Sequence, residues 1–218
     1  MKNIIFDARQ VFVHLGLVEA EEAAAFVERS FGADLPLLVE RFRQEYDGIV
    51  DERNVPIEID YETRAREIAA AYQQHLRRAL FVALYSSFEN ELELLCKHLA
   101  ERQLISLRPA DLSGRGVVRA TNFLKKVLGL TIPETQSAWR EIQVFGKIRN
   151  TLAHRGGRLY KDDDRQIVQW LQTTGCGDVA NDELNLNETA HPYAVRVLRD
   201  FWAGLFDELR RHRQENRL

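Results

Sequence analysis

The sequence predicts an all-α protein: a mostly antiparallel helical bundle with short connections and an N-terminal helical extension. Three observations predict it. Apolar residues recur three and four residues apart over most of the chain, the spacing of one helix face. Only five prolines and twelve glycines interrupt 218 residues, few for a fold of many short strands. Near the C-terminus, Val195, Leu198, Trp202, Leu205 and Leu209 form a heptad-like seam, the pattern by which a helix packs lengthwise on its neighbours. The length admits one fair-sized domain with an appendage, divided here into an extension over 1–60 and a bundle over 61–218.

Taken in order, 19–31 reads as an alanine-rich helix with Ala23, Phe26 and Val27 on one face, stopped by Gly32. A second short helix, 35–46, carries Leu38, Val39 and Phe42, and 51–60 is a polar connector around Pro56. Residues 61–103 hold the longest helical pattern. One stripe is Ile68, Tyr72, Leu76 and Ala79; a second is Phe81, Leu84, Phe88, Leu92, Leu95 and Leu99. A face this wide implies burial against more than one neighbour, in one long helix or two broken near the middle. A turn around Pro109 and Gly114 leads to a helix over 117–128, ended by Gly129. After Pro133, with Glu134 and Glu141 suited to a helix start, Trp139, Ile142, Phe145, Ile148 and Leu152 mark the core stripe of a helix over 134–154. Gly156-Gly157 breaks it. A helix over 161–171 follows, then a loop over 173–187 rich in Gly, Asn and Asp, then a last helix over 189–212.

Composition narrows the function classes. A net charge of −3 excludes a broad basic coat for nucleic acid but leaves room for a local basic groove. No apolar run is long enough for a bilayer, and Asp7 and Arg9 break the N-terminal apolar stretch, so neither a membrane span nor a signal peptide is expected. Cys96 and Cys176 are too few and too scattered for a disulfide framework or a metal site, which points to a reducing cytoplasm. His14, His75, His98, His191 and His212 have no ligand spacing, so no metal or other cofactor is expected.

The clearest chemical signal is the stretch 145–157, Phe-Gly-Lys-Ile-Arg-Asn-Thr-Leu-Ala-His-Arg-Gly-Gly. Arg149 is followed by Asn150, and His154 comes after four intervening residues, at the end of an apolar-periodic helix stopped by glycines. This resembles the Arg-x(4–6)-His signature of the HEPN superfamily, in which Asn often follows the Arg. The stretch 83–92 is similar to the family as well, through the aromatic-Glu pair Phe88-Glu89 on the helix expected to pack against the motif. The resemblance implies a helical fold over about 64–210 and a metal-independent endoribonuclease. Arg149 and His154 are then the catalytic residues, with Asn150 orienting the histidine or the phosphate.

The residue types suit that chemistry. RNA carries its own nucleophile in the 2′-hydroxyl, and cleavage needs a proton acceptor, a proton donor and positive charge at the phosphorus. Histidine transfers protons near neutral pH, and arginine grips phosphate with a planar fork. Arg149 and His154, however, lie five residues apart, about 140° around an ideal helix, so one rigid helix does not aim both at one atom. In the family a homodimer resolves this by joining two motifs in a composite cleft. The resemblance further implies an RNA substrate, a toxin or phage-defence role, and an antitoxin or regulatory protein as a partner. A tyrosine two residues after the histidine, which some family toxins have modified by a nucleotidyltransferase, is replaced here by Gly156.

The plainer readings stand beside these. Lys147, Arg149, His154, Arg155 and Arg158 suit a helix C-terminus with no catalysis at all. Arg108, Arg115, Arg119, Lys125 and Lys126 track an RNA backbone or simply form a solvated face. Asp162-Asp163-Asp164 reads as an acidic helix start rather than a metal site, and Ser113-Gly114-Arg115-Gly116 lacks the ending of a phosphate loop. The alternative function is a non-catalytic HEPN-like helical dimer, a protein- or RNA-binding module that docks through the 195–209 seam.

Overall fold

The computed structural model describes residues 4–46, 60–132, 137–160 and 164–216. These form α1 (Ile4–Tyr46), α2 (Tyr61–Arg102), a 3-10 turn at Pro109–Asp111, α3 (Gly116–Lys126), α4 (Ser137–Arg155), α5 (Arg165–Thr174), β1 (Gly177–Ala180), β2 (Glu183–Leu186) and α6 (Ala190–Asn216). The fold is all-α, with one two-stranded hairpin. Among the described residues, no helix is long and apolar enough to cross a membrane. The connector at 51–59, Pro133, Glu134 and the acidic pair Asp162-Asp163 lie outside the described residues.

The helices expected over 19–31 and 35–46 are a single element. Gly32 does not stop a helix: α1 runs through it, and through Pro36, as one element. A lone glycine costs a helix only about 1 kcal/mol relative to alanine, which neighbouring turns and packing outweigh. Ion pairs fix the direction of α1. Arg9 meets Glu91 at 3.0 Å, while Glu28, much later on α1, meets Arg77 at 2.6 Å, so α1 is antiparallel to α2. It is antiparallel to α6 too, because Gln10 bonds Arg210 and Glu21 bonds Arg199. Val13, Leu17 and Ala24 are the buried side of this packing.

The 61–103 pattern is one unbroken helix, but its two stripes fare differently. Phe81, Leu84, Phe88, Leu92, Leu95 and Leu99 are all buried, whereas Tyr72 is 59% and Leu76 42% exposed. The first half of α2 holds its neighbours by polar grips instead. Gln73 and Arg77 bond Glu28, Gln74 bonds the Leu186 carbonyl, and Arg78 bonds the hairpin. Apolar spacing revealed the helix there, but not whether a partner covers it.

The loop expected over 173–187 is largely a hairpin, in the register Gly177 to Leu186 and Ala180 to Glu183. Its turn residues Asn181 and Asp182 take φ of 53° and 60°, the left-handed region that asparagine and aspartate tolerate. Leu184 and Leu186 of β2 turn inward and are buried.

The core lies between α2, α4 and α6, capped by α3 and α5. Phe88 of α2 meets Phe201 and Trp202 of α6 edge-on at 5.5 and 5.7 Å. Phe201 in turn stacks on Trp139 of α4. Val195, Leu198, Trp202, Leu205 and Leu209 are all buried inside the chain itself. The seam is spent on the protein's own core and offers no exposed docking surface.

Two histidines tie stability to pH. His191, at the start of α6, is 7% exposed, and burial holds its imidazole below the ordinary range against the opposing pull of Glu21 and the Leu80 carbonyl. Burial and then Arg102 and Arg9 lower His98 in the same way. A histidine held neutral in the fold binds a proton more readily when unfolded, so stability falls as pH drops through the unfolded value of about 6.5. Calorimetric melting temperature is expected to decline from about pH 7.5 to about pH 5.5. His191→Gln is expected to remove part of that slope.

Candidate functional site

Helix α4 delivers the motif because its apolar stripe anchors one side. Trp139, Ile142, Phe145, Ile148 and Leu152 are all buried as the spacing predicts, and Phe145 meets Phe81 and Trp170 edge-on at 5.6 Å each. Arg149, Asn150 and His154 therefore fall on the flank that leaves the core. The helix ends where expected. Gly156 and Gly157 adopt φ of 61° and 92°, and the Gly157 N–H donates to the Thr151 carbonyl at 3.1 Å.

The residues just past the motif are tied down. The Leu184 N–H donates to the Gly157 carbonyl at 2.9 Å, and the Leu159 N–H to the Asp182 carbonyl at 2.8 Å, so this segment lies along the hairpin. Arg155 does not belong to a functional basic cluster. Its guanidinium grips Asp164 at 2.7 and 3.0 Å and lies 5.2 Å from the Tyr160 ring centre. Burial alone would raise the Asp164 carboxyl, but hydrogen bonds from Arg155 and from the Tyr160 N–H outweigh it and hold it below the ordinary range. Asp164 is the residue before α5, so this part of the acidic run is a helix start.

Arg149, Asn150 and His154 all border one open groove of about 800 Å³ between α2, α4 and the start of α3. The helical wheel separates Arg149 from His154, yet both reach this groove. The arginine side chain is long enough to fold toward α2, where Glu89 draws it in. Arg149 Nη2 is ion-paired with Glu89, and Nη1 donates to Asn150 Oδ1 at 3.0 Å. The guanidinium lies 5.6 Å from the centre of the Tyr85 ring. Its Nε–H is buried and meets no acceptor among the described residues, a cost that folded proteins usually tolerate only at special positions. Asn150 thus orients the arginine; it makes no hydrogen bond to His154 among those described. His154 is exposed at the groove edge.

Glu89, the acidic member of the Phe88-Glu89 pair, is the residue that links the three helices. Its carboxylate packs against Gly116, the first residue of α3, so closely that any Cβ there would collide with it. The positive end of α3 and the Arg149 guanidinium face the same carboxylate. Of the five basic residues weighed around α3, Arg115 borders the groove. Arg119 instead meets Glu93 at 3.6 Å, and Lys125 lies over Trp139 at 5.9 Å.

Both cysteines are buried and free. Burial, then Glu93, pushes the Cys96 thiol up to about 12, and it donates to the Ala120 carbonyl. Sequence reasoning does not single out Tyr85 or Gly146, which also line the groove. A glycine inside an otherwise regular apolar-periodic helix was the available signal, since it marks a close approach. No model of a known protein family, no curated protein and no solved structure matches the chain.

Proposed function

We propose that this chain is a metal-independent endoribonuclease of HEPN type. The observation that carries the proposal is the meeting of Arg149, Asn150 and His154 at one groove, with the arginine fork oriented by Glu89 and Asn150. An arginine, a histidine and an open groove are the parts that 2′-hydroxyl chemistry requires. His154 takes the proton of the 2′-hydroxyl, and the freed oxygen attacks the adjacent phosphorus. The bond from phosphorus to the 5′-oxygen breaks, and that oxygen takes up a proton. The products are a 2′,3′-cyclic phosphate and a 5′-hydroxyl. Arg149 balances the charge that grows on the phosphorane. The donor of the second proton is His154 of a second copy, in a composite two-fold cleft. A cytoplasmic toxin or defence role, held in check by an antitoxin or regulatory protein, fits an enzyme of this kind.

The test is incubation of the purified protein with a mixed RNA pool in EDTA, beside the same strands with 2′-deoxy sugars. Cleavage of the RNA alone, leaving cyclic phosphate ends, is the expected result. A folded protein that leaves a broad set of RNAs intact would overturn the proposal. One observation favours the non-catalytic alternative: Arg149 is already engaged by Glu89, as an arginine serving only the fold would be. Under that reading the protein retains RNA without cutting it, and His154→Ala changes nothing.

A further inference from the structure

We propose that Tyr85 is a further catalytic residue of this groove: its hydroxyl donates a hydrogen bond to a non-bridging oxygen of the phosphate whose charge Arg149 balances. The proposal rests on the nuclease reading above. It starts from Gly146, the one glycine within α4. A mid-helix glycine costs about 1 kcal/mol relative to alanine. A Cβ at this position would lie 2.7 Å from Tyr85 Oη and 3.3 Å from ring carbon Cζ. The severe clash is with the hydroxyl, and the ring alone would need only a slight shift. Gly146 therefore makes room for an oxygen more than for an aromatic ring.

That oxygen serves no evident structural purpose. Tyr85 as a whole is only 8% exposed, but its hydroxyl is not among the sealed, unpartnered polar atoms, so the ring is packed while the oxygen keeps access to the groove. Among the described residues, the Tyr85 hydroxyl has no hydrogen bond, and the groups that act on it are Glu89 and Arg149. The neighbouring aromatic positions on α2, Phe81 and Phe88, are buried without a hydroxyl. Tyr85 borders the same groove as Arg149, Asn150 and His154 and sits one helical turn before Glu89.

The hydroxyl has the right chemistry for a fixed donor. Burial, then Glu89, pushes the phenol up to about 12, against the opposing effect of Arg149. It stays protonated across the neutral range, so it neither takes nor releases a proton in the reaction. As the 2′-oxygen adds to phosphorus, negative charge builds on the non-bridging oxygens. A preplaced neutral donor strengthens most at that moment, and so acts on the chemical step more than on binding.

The test compares wild type, Tyr85→Phe, Gly146→Ala, the double variant and His154→Ala in the EDTA cleavage assay, with melting temperature measured for each. Tyr85→Phe is expected to lower kcat about 10²-fold with little change in KM and an unchanged melting temperature. Gly146→Ala displaces the hydroxyl and is expected to lose a similar factor. The double variant is expected to be no slower than Tyr85→Phe alone and more stable than Gly146→Ala, because phenylalanine removes the clash and alanine suits the helix. Equal cleavage by wild type and Tyr85→Phe, with His154→Ala inactive, overturns this proposal and leaves the nuclease reading standing. A loss in Tyr85→Phe matched by a fall in melting temperature also overturns it, since the hydroxyl would then serve the fold. An inert wild type overturns the nuclease reading and this proposal together.

Discussion

His154→Ala is expected to lower RNA cleavage by about 10³-fold or more while leaving the melting temperature nearly unchanged, since positioned acid–base groups contribute 10² to 10⁴. The separation of the two effects follows from where the side chain sits. His154 is exposed, on the last turn of α4, and makes no hydrogen bond or ion pair among those described. Alanine there takes away an exposed side chain with no partner to lose and gains in helix propensity, so the fold is little affected. Arg149→Ala is expected to behave differently. It too stops cleavage, but it also leaves Glu89 beside α3 without its partner. Both side chains are 23% exposed, so the loss is that of a partly screened pair, about 1–2 kcal/mol. A fluorescence melt beside the cleavage assay reads both quantities. Undiminished cleavage by His154→Ala would remove this histidine from the chemistry.

How much of this was legible beforehand depends on the range of the interaction. The core face of α4 was legible, because five residues at helical spacing must all turn to one side, and all five are buried. The α6 seam was equally legible as a face, but its partner was not. Spacing says that a stripe will be covered, not whether by the same chain or another. The same gap explains Tyr72 and Leu76, which remain exposed among the described residues. The hairpin was missed because its strands are four residues each, and its turn uses Asn181-Asp182 rather than a glycine pair. At the site, Arg149, Asn150 and His154 are local in sequence and were visible together. Glu89 and Arg149 are 60 residues apart, so only a resemblance, not a spacing, pointed to the acid. Tyr85 and Gly146 form a contact of the same long range, and it becomes readable only when both helices are in place.

Arg78→Ala is expected to destabilise the protein by about 3 kcal/mol and lower its melting temperature by roughly 6–12 °C, the usual scale for a chain of this size. Arg78 is 13% exposed and spends its whole fork on one corner of the molecule. Nε donates to the Leu184 carbonyl at 3.0 Å and Nη1 to the Gly156 carbonyl at 3.3 Å. Nη2 meets Asn185 Oδ1 at 3.1 Å and Glu183 at 3.3 Å. Gly157 leaves room for it, since a Cβ there would lie 3.2 Å from the guanidinium carbon. One side chain of α2 thus joins the hairpin to the turn that ends the motif helix, two residues after His154. Removing it leaves two carbonyls short of a donor and frees the hairpin from α2. Arg78→Lys is expected to recover only a small part, because an ammonium cannot reproduce the planar fork. Leu184 and Leu186 share one core with Phe88 and Trp202, but those aromatics are held by contacts among α2, α4 and α6, so the damage should be local. Amide exchange tests that: protection should fall first at Leu159 and Leu184, whose N–H groups bond across the corner. Uniform loss of protection throughout the core would show instead that Arg78 supports the bundle as a whole.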